Sequence, residues 1–372
     1  VIFDIHGEYK NAFKNCNYLD SSKIKIPYWL FDGEELGELF IESSENNSYN
    51  QVSQFRYAVT ENKRKHNPGK KVYFDSPLQF DINEVIRYIK NMNNEMINKK
   101  NSRYPEDKDK NIFKSRIPDY FLNEFKFDKV SADFVNGPYT GEFERFLMRL
   151  ENTIENTRFD FLFKDVEKLT IEKVLQQFLG YREKEESNIT VIDLSGIPFE
   201  ALSITVSLIS RLIFEFGYYY KRLLSGKDDC ETPILLVYEE AHKYVPRSDL
   251  VRYRASKNAI ERIAKEGRKY GVTLAIVSQR PSEVSETIFS QCSNFIAMRL
   301  TNPDDQSYVK KLLPDTSGDL ISNLPTLQSG EALLIGDSIV IPSIVKIDKC
   351  NPEPNSTDIP ISHKMVSRME KC

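Results

Sequence analysis

Apolar residues along this chain fall into two patterns, short unbroken runs and stripes at helical spacing. The clearest run is Ile234-Leu235-Leu236-Val237, which follows Pro233 and leads through Tyr238 to two adjacent acids, Glu239 and Glu240. A short apolar run bounded by turn residues reads as a strand buried on both faces of a parallel sheet. Further runs at Ile189–Leu194, Val272–Val277 and Phe295–Leu300 read the same way. Val1–Tyr9 reads as a strand running into a glycine turn. Glu331–Ile341 reads as a hairpin around Gly336-Asp337.

Between residues 20 and 80 short apolar runs alternate with turns. Pro27-Tyr28-Trp29-Leu30 reads as a buried edge element and Lys71–Asp75 as a strand. From residue 81 the spacing becomes helical. Asp81 and Glu84 resemble a capping box, and Ile82, Val85, Ile86, Ile89 and Met96 fall on one stripe. Two more stripes follow: Phe143, Phe146, Leu147, Leu150 and Ile154, then Ile171, Val174, Leu175, Phe178 and Leu179. Leu202, Val206, Ile209, Ile213 and Phe216 form another, after a turn at Ser195–Pro198.

These elements predict an α/β fold: a doubly wound, mostly parallel sheet with an inserted helical bundle. The expected division is 1–80 for the first part of the core and 81–186 for an insertion with its own small core. Residues 187–348 then form the rest of the core, and 349–372 a C-terminal arm.

Composition narrows the class. The chain has 372 residues, 40% hydrophobic and 28% charged, with a formal charge of −4. That charge argues against wholesale coating of nucleic acid, so such contact is expected to be local. Five dispersed cysteines without metal spacing fit reduced thiols in a cytoplasmic protein. No apolar run reaches membrane-span length, so no membrane association is expected.

The chemistry gathers at strand ends. Two acids after a parallel strand suit a Mg²⁺–nucleotide site, one holding the hydrated metal and the next polarising a water. They equally suit a solvated acidic turn. Asp4, His6 and Glu8 alternate, so they read either as a metal site or as polar groups lining a strand end. From Arg247 to Lys269 there are eight Lys/Arg against three Asp/Glu. Arg268, near a helix C-terminus, suits either the helix dipole or a nucleotide on a neighbouring subunit.

Five segments carry a family resemblance: FDIHGEY (3–9), LLVYEEAHKYVP (235–246), EGRKYGV (266–272), SQRPSEVSETIFSQCSNFIAMRLTNPDDQ (278–306) and GEALLIGD (330–337). In this order they resemble the HerA-type ATPases of the HerA–FtsK superfamily. The resemblance implies a RecA-like core and a homo-hexameric, ATP- and Mg²⁺-dependent translocase or helicase on double-stranded DNA, partnered with a nuclease or other effector. It places Glu239 at the Walker B position usually held by Asp and Glu240 at the catalytic acid. Asp4 and Glu8 fall in the motif after the P-loop helix, Arg268 at the arginine finger and Gln279 at the γ-phosphate sensor. Arg247, Arg252, Arg254 and Lys257, between the acid-bearing strand and the finger helix, read either as a pore loop that contacts DNA or as a solvated basic loop. The alternatives are a catalytically silent ring scaffold and a conjugation or secretion ATPase of the same superfamily.

No G-x-x-x-x-G-K-[ST] motif occurs in the chain. That motif supplies the backbone N–H groups, lysine and hydroxyl that cradle nucleotide phosphates. The expectation is therefore a C-terminal part of a longer protein, inactive alone and prone to aggregate.

Overall fold

The computed structural model describes residues 1–41, 48–98, 116–127, 132–180, 187–224, 233–248, 254–312 and 321–356. The strand β1 (Ile2–Asp4) is followed by β2 (Asn17–Leu19), α1 (Gly33–Phe40), α2 (Ser48–His66), α3 (Ile82–Asn94) and β3 (Met96–Asn98). Next come α4 (Arg116–Leu122), β4 (Phe134–Asn136), α5 (Glu144–Glu155), α6 (Asp160–Phe163) and α7 (Ile171–Leu179). The chain continues through β5 (Thr190–Asp193), α8 (Phe199–Leu224), β6 (Ile234–Tyr238), α9 (Ala255–Glu266) and β7 (Val272–Ile276). It ends with α10 (Glu286–Phe289), β8 (Asn294–Ala297), α11 (Pro303–Leu312), β9 (Glu331–Gly336) and β10 (Ser343–Lys346).

The central sheet has five parallel strands in the order β2-β5-β1-β6-β7. Its middle strands are buried, as the unbroken apolar runs require. Phe3 of β1 stacks on Tyr238 of β6 with ring centroids 4.7 Å apart, and the Tyr238 hydroxyl lies 2.8 Å from that of Ser210 on α8. That contact pins β1, β6 and the 26-residue helix α8 together. Gly217 of α8 gives the Tyr270–Val272 backbone room to approach, so α9 and β7 close tightly over the helix.

Several expectations change. Residues 48–66 form the long helix α2, although the sequence between 20 and 80 suggests only short runs and turns. Its hydrophobic stripe is thin because Asn62 and Lys63 are buried, Lys63 donating to the carbonyls of Phe74 (2.6 Å) and Ser76 (2.7 Å). Lys71–Asp75 is therefore a turn that receives this lysine rather than a strand. Pro27–Leu30 is buried as expected, but as a single 3₁₀ turn. Met96 leaves the α3 stripe and begins β3, which pairs antiparallel with β4.

Asp81 caps α3 by accepting from the amides of Asn83 and Glu84. Glu84 turns to Asn62, Lys65 and His66 instead of closing a capping box. The true capping box is Asp32/Glu35 on α1. The helices between 81 and 186 do not enclose a core of their own, since Val85, Phe146 and Phe178 belong to the same buried cluster as Phe3 and Leu236.

Phe295–Leu300 does not extend the parallel sheet. Its strand β8 (Asn294–Ala297) joins an antiparallel sheet, β10-β9-β8, with a separate small core around Leu324, Leu333 and Ile335. Phe295 and Ala297 face that core while Ile296 is 68% exposed, the alternation of a strand buried on one face. The hairpin is present, but its second strand starts at Ser343 rather than directly after Asp337. Among the described residues no helix is long and apolar enough to cross a membrane.

Candidate functional site

The register of the parallel strands sets an acid at three adjacent C-terminal ends. Asp4 of β1 is level with Asp193 of β5, and Phe3 is level with Tyr238, which brings Glu239 beside Asp4. Beyond β6 the pairing with β7 continues, Val277 donating to the Tyr238 carbonyl and Ala241 to that of Val277, both at 2.9 Å. The Glu239-Glu240 pair thus lies next to Ser278 and Gln279. The ligand-binding edge of an open α/β sheet is this one.

Asp4 is fully buried. Its Oδ1 accepts from the amides of His6 (3.2 Å) and Gly7 (2.8 Å), and its Oδ2 from that of Tyr9 (2.9 Å). This arrangement folds the chain back at Gly7, where φ is +72°. A side chain there would also press on Asp193 and Ser195, so glycine is required twice over. The turn breaks the Asp4/His6/Glu8 alternation, and His6 ends exposed. These three do not form a metal site: among the described residues no group of three His, Cys, Asp or Glu could hold a metal ion.

Glu239 is 9% exposed, and its Oε2 accepts from the Ile5 amide at 3.3 Å. Burial, then the charge of Asp4, pushes its carboxyl up to about 7, with Glu8 and a hydrogen bond to Asp4 adding to the rise. Tyr9 hydrogen-bonds to Glu239, and its phenol is pushed up to about 12, chiefly by burial and then by the charges of Glu239 and Asp4. The buried Tyr244 hydroxyl has no hydrogen-bond partner. Burial and the same acids, Glu240 included, raise it as well.

Glu240 adopts a left-handed backbone, φ 49° and ψ 45°. A residue with a Cβ holds that conformation at a cost of about 1–2 kcal/mol, a form of strain that clusters at functional sites. His242 follows in the 3₁₀ turn Ala241–Lys243, its Nε2 3.4 Å from Glu240 Oε2. Gln279 is exposed on the adjoining turn.

Crowded, buried carboxyls with an orphaned phenol are a set that a hard cation would relieve. Mg²⁺ is commonly held by one or two carboxylates and waters, which suits Glu239 without a full protein cage. Arg268 does not join these groups. It is exposed in the 3₁₀ turn Gly267–Tyr270, ahead of β7 and at the opposite end of the sheet from Glu240.

The basic candidates divide. Arg247 pairs with Glu286 at 2.5 Å and lies over the Tyr308 ring. Arg254 begins α9, where Glu38 accepts from its amide and that of Ala255. Lys257 Nζ lies 3.5 Å from the Arg247 carbonyl. Arg252 lies outside the described residues.

Three neighbours escape a reading of the sequence. Asp193 accepts from the Tyr18 hydroxyl and from Ser195, through Oγ at 2.6 Å. Tyr9 and Tyr244 meet Glu239 from separate segments. Only Asp193 carried a signal, an apolar run ending in an acid like that before Glu239.

The family model described as "Helicase HerA, central domain" matches residues 1–213. The DNA double-strand break repair helicase HerA of Sulfurisphaera tokodaii is 30% identical over 350 residues, covering 94% of this chain and 59% of the relative. That of Saccharolobus solfataricus is 34% identical over 209 residues, covering 56% of this chain and 37% of the relative. The chain thus spans well under two thirds of either relative. Among solved structures, VirB4 of Thermoanaerobacter pseudethanolicus superposes with a TM-score of 0.52 at 13% identity, covering 94% of this chain and 82% of that one. At that identity the likeness concerns the fold alone.

Proposed function

This chain belongs to the family of the HerA helicase central domain, and we propose that it is the part of an ATP-driven double-stranded DNA translocase that carries the hydrolytic acids. The observation that carries the proposal is the placement of Asp4, Glu239 and Glu240 at one sheet edge, with Glu240 held in a left-handed backbone. A solvated acidic turn has no need for buried carboxyls or for that strain. Glu239 would hold hydrated Mg²⁺, with Asp4 and Glu8 shaping the charge around it, and the ion when bound would neutralise charge on the phosphate oxygens. Glu240 orients and polarises the attacking water, and Gln279 reads the γ-phosphate.

Arg268 stands too far from Glu240 to serve it within one chain, and it suits an arginine finger offered to the next subunit. That role requires a ring, and a homo-hexamer follows the family pattern. Arg247, Arg252, Arg254 and Lys257 are assigned to the DNA path, and a nuclease or other effector to the assembled ring.

DNA-stimulated ATP hydrolysis by the whole protein tests the proposal. Hydrolysis that rises with double-stranded DNA and disappears on chelating Mg²⁺ is expected. Turnover indifferent to DNA would reject the translocase reading.

A further inference from the structure

His242 bridges two parts of the candidate site that the sheet alone leaves separate. Its side chain is 10% exposed. Nε2 lies 3.4 Å from Oε2 of Glu240, and Nδ1 lies 3.2 Å from Oγ of Ser278. Ser278 Oγ also accepts from the Arg280 amide at 3.0 Å. The ladder bonds Val277 to Tyr238 and Ala241 to Val277 hold the two turns in this alignment.

The bonding fixes the tautomer. The Glu240 carboxylate can only accept, so the single proton of the neutral ring goes to Nε2, and Ser278 Oγ, which accepts from the Arg280 amide, gives its own proton to Nδ1. Nδ1 is then the acceptor and the ring proton sits on Nε2, facing the Glu240 carboxylate. Burial lowers the pKa of the imidazole from its ordinary value, against the opposing pull of Glu240 and Glu283; Arg280 and Lys243 lower it further. The ring is therefore neutral at neutral pH. A neutral N–H orients a carboxylate without cancelling its charge, as a group that must polarise water requires.

We propose that His242 is a positioning residue that ties the Glu240 carboxylate to the Ser278-Gln279-Arg280 turn, so that a shift of that turn on nucleotide binding moves the acid into or out of line. The proposal rests on reading Glu240 as the hydrolytic acid and Gln279 as the γ-phosphate sensor.

Two measurements test it, the first independent of hydrolysis. The chain contains four histidines, so ¹⁵N resonances of the imidazoles can be assigned by the loss of one set in His242→Gln. The expected state of His242 is the Nε2–H tautomer. Ser278→Ala should shift it toward a mixture, and Glu240→Gln should lower the ring's measured pKa. An Nδ1–H tautomer, or a ring indifferent to both substitutions, would overturn the contact.

The second measurement is steady-state hydrolysis by the whole protein. His242→Ala should lower kcat by ~10²-fold, the scale of a misplaced catalytic group, with KM for ATP little changed. His242→Gln, which keeps a donor, should recover part of the loss. Ser278→Ala added to His242→Ala should cost nothing more, since both remove one link. Wild-type turnover with His242→Ala within twofold of it would overturn the coupling. A wild type without turnover would overturn the functional reading and the coupling with it, while the tautomer measurement would still decide the contact.

Discussion

Asp4 and Glu239 stand side by side at the ends of two adjacent parallel strands, both of them buried. Burial disfavours the ionised Glu239 carboxylate, and the charge of Asp4 adds to it, which is why Glu239 holds its proton to about pH 7.

That raised value makes stability depend on pH in a defined direction. The folded chain keeps a proton on Glu239 that the unfolded chain loses above its ordinary value of 4.5. The contribution is whole below pH 4.5 and is lost as pH rises through about 7. Glu239→Gln should therefore raise stability at pH 8 by roughly 1–2 kcal/mol in magnesium-free buffer, and change little at pH 4. Denaturant titrations at the two pH values check this, and an equal effect at both would contradict it.

The backbone of Glu240 offers a second test. Glycine reaches a φ of 49° without the Cβ clash that alanine suffers. Glu240→Gly should be more stable than Glu240→Ala by about 1 kcal/mol, the reverse of their order in a helix. Thermal unfolding of the two variants decides it; alanine matching glycine would mean that the strain is absent.

Arg268 and Glu240 lie at opposite ends of the sheet. Arg268→Ala should lower turnover by ~10³–10⁵, the range for arginine fingers, with ATP affinity nearly kept. Mixed rings of Arg268→Ala and Glu240→Gln subunits should regain some hydrolysis, because some interfaces then hold both groups. Verified mixed rings without rescue would confine Arg268 to its own subunit.

On the DNA path, Arg247 is already engaged by Glu286. Neutralising Arg252, Arg254 and Lys257 should weaken DNA binding alike for all sequences and reduce the salt slope by roughly one for each phosphate no longer neutralised. An unchanged slope in the triple variant would move the DNA-binding surface elsewhere.

Four of the five parallel strands were legible as short apolar runs, while β2 (Asn17–Leu19) has no such run and was missed; the acids at Glu239 and Glu240 stood out because they follow one. Helix α2 was not legible, because Lys63 and Asn62 interrupt its buried face and find partners only in the folded chain. β8 read as one more strand of the parallel sheet because a run of six apolar and basic residues does not reveal whether one face or two are covered. Tyr9 and the link from His242 to Ser278 depend on contacts between segments brought together by strand order, and Tyr244 returns toward Glu239 only through the 3₁₀ turn Ala241–Lys243. Periodicity carries no record of such contacts.

The most direct measurement is ATP binding and hydrolysis by the whole protein carrying Glu240→Gln. The amide cannot take a proton or polarise water as the carboxylate does. Bound ATP should persist unhydrolysed, at an affinity close to that of the wild type. Hydrolysis by Glu240→Gln near the wild-type rate would remove Glu240 from the chemistry and contradict the assignment of this sheet edge.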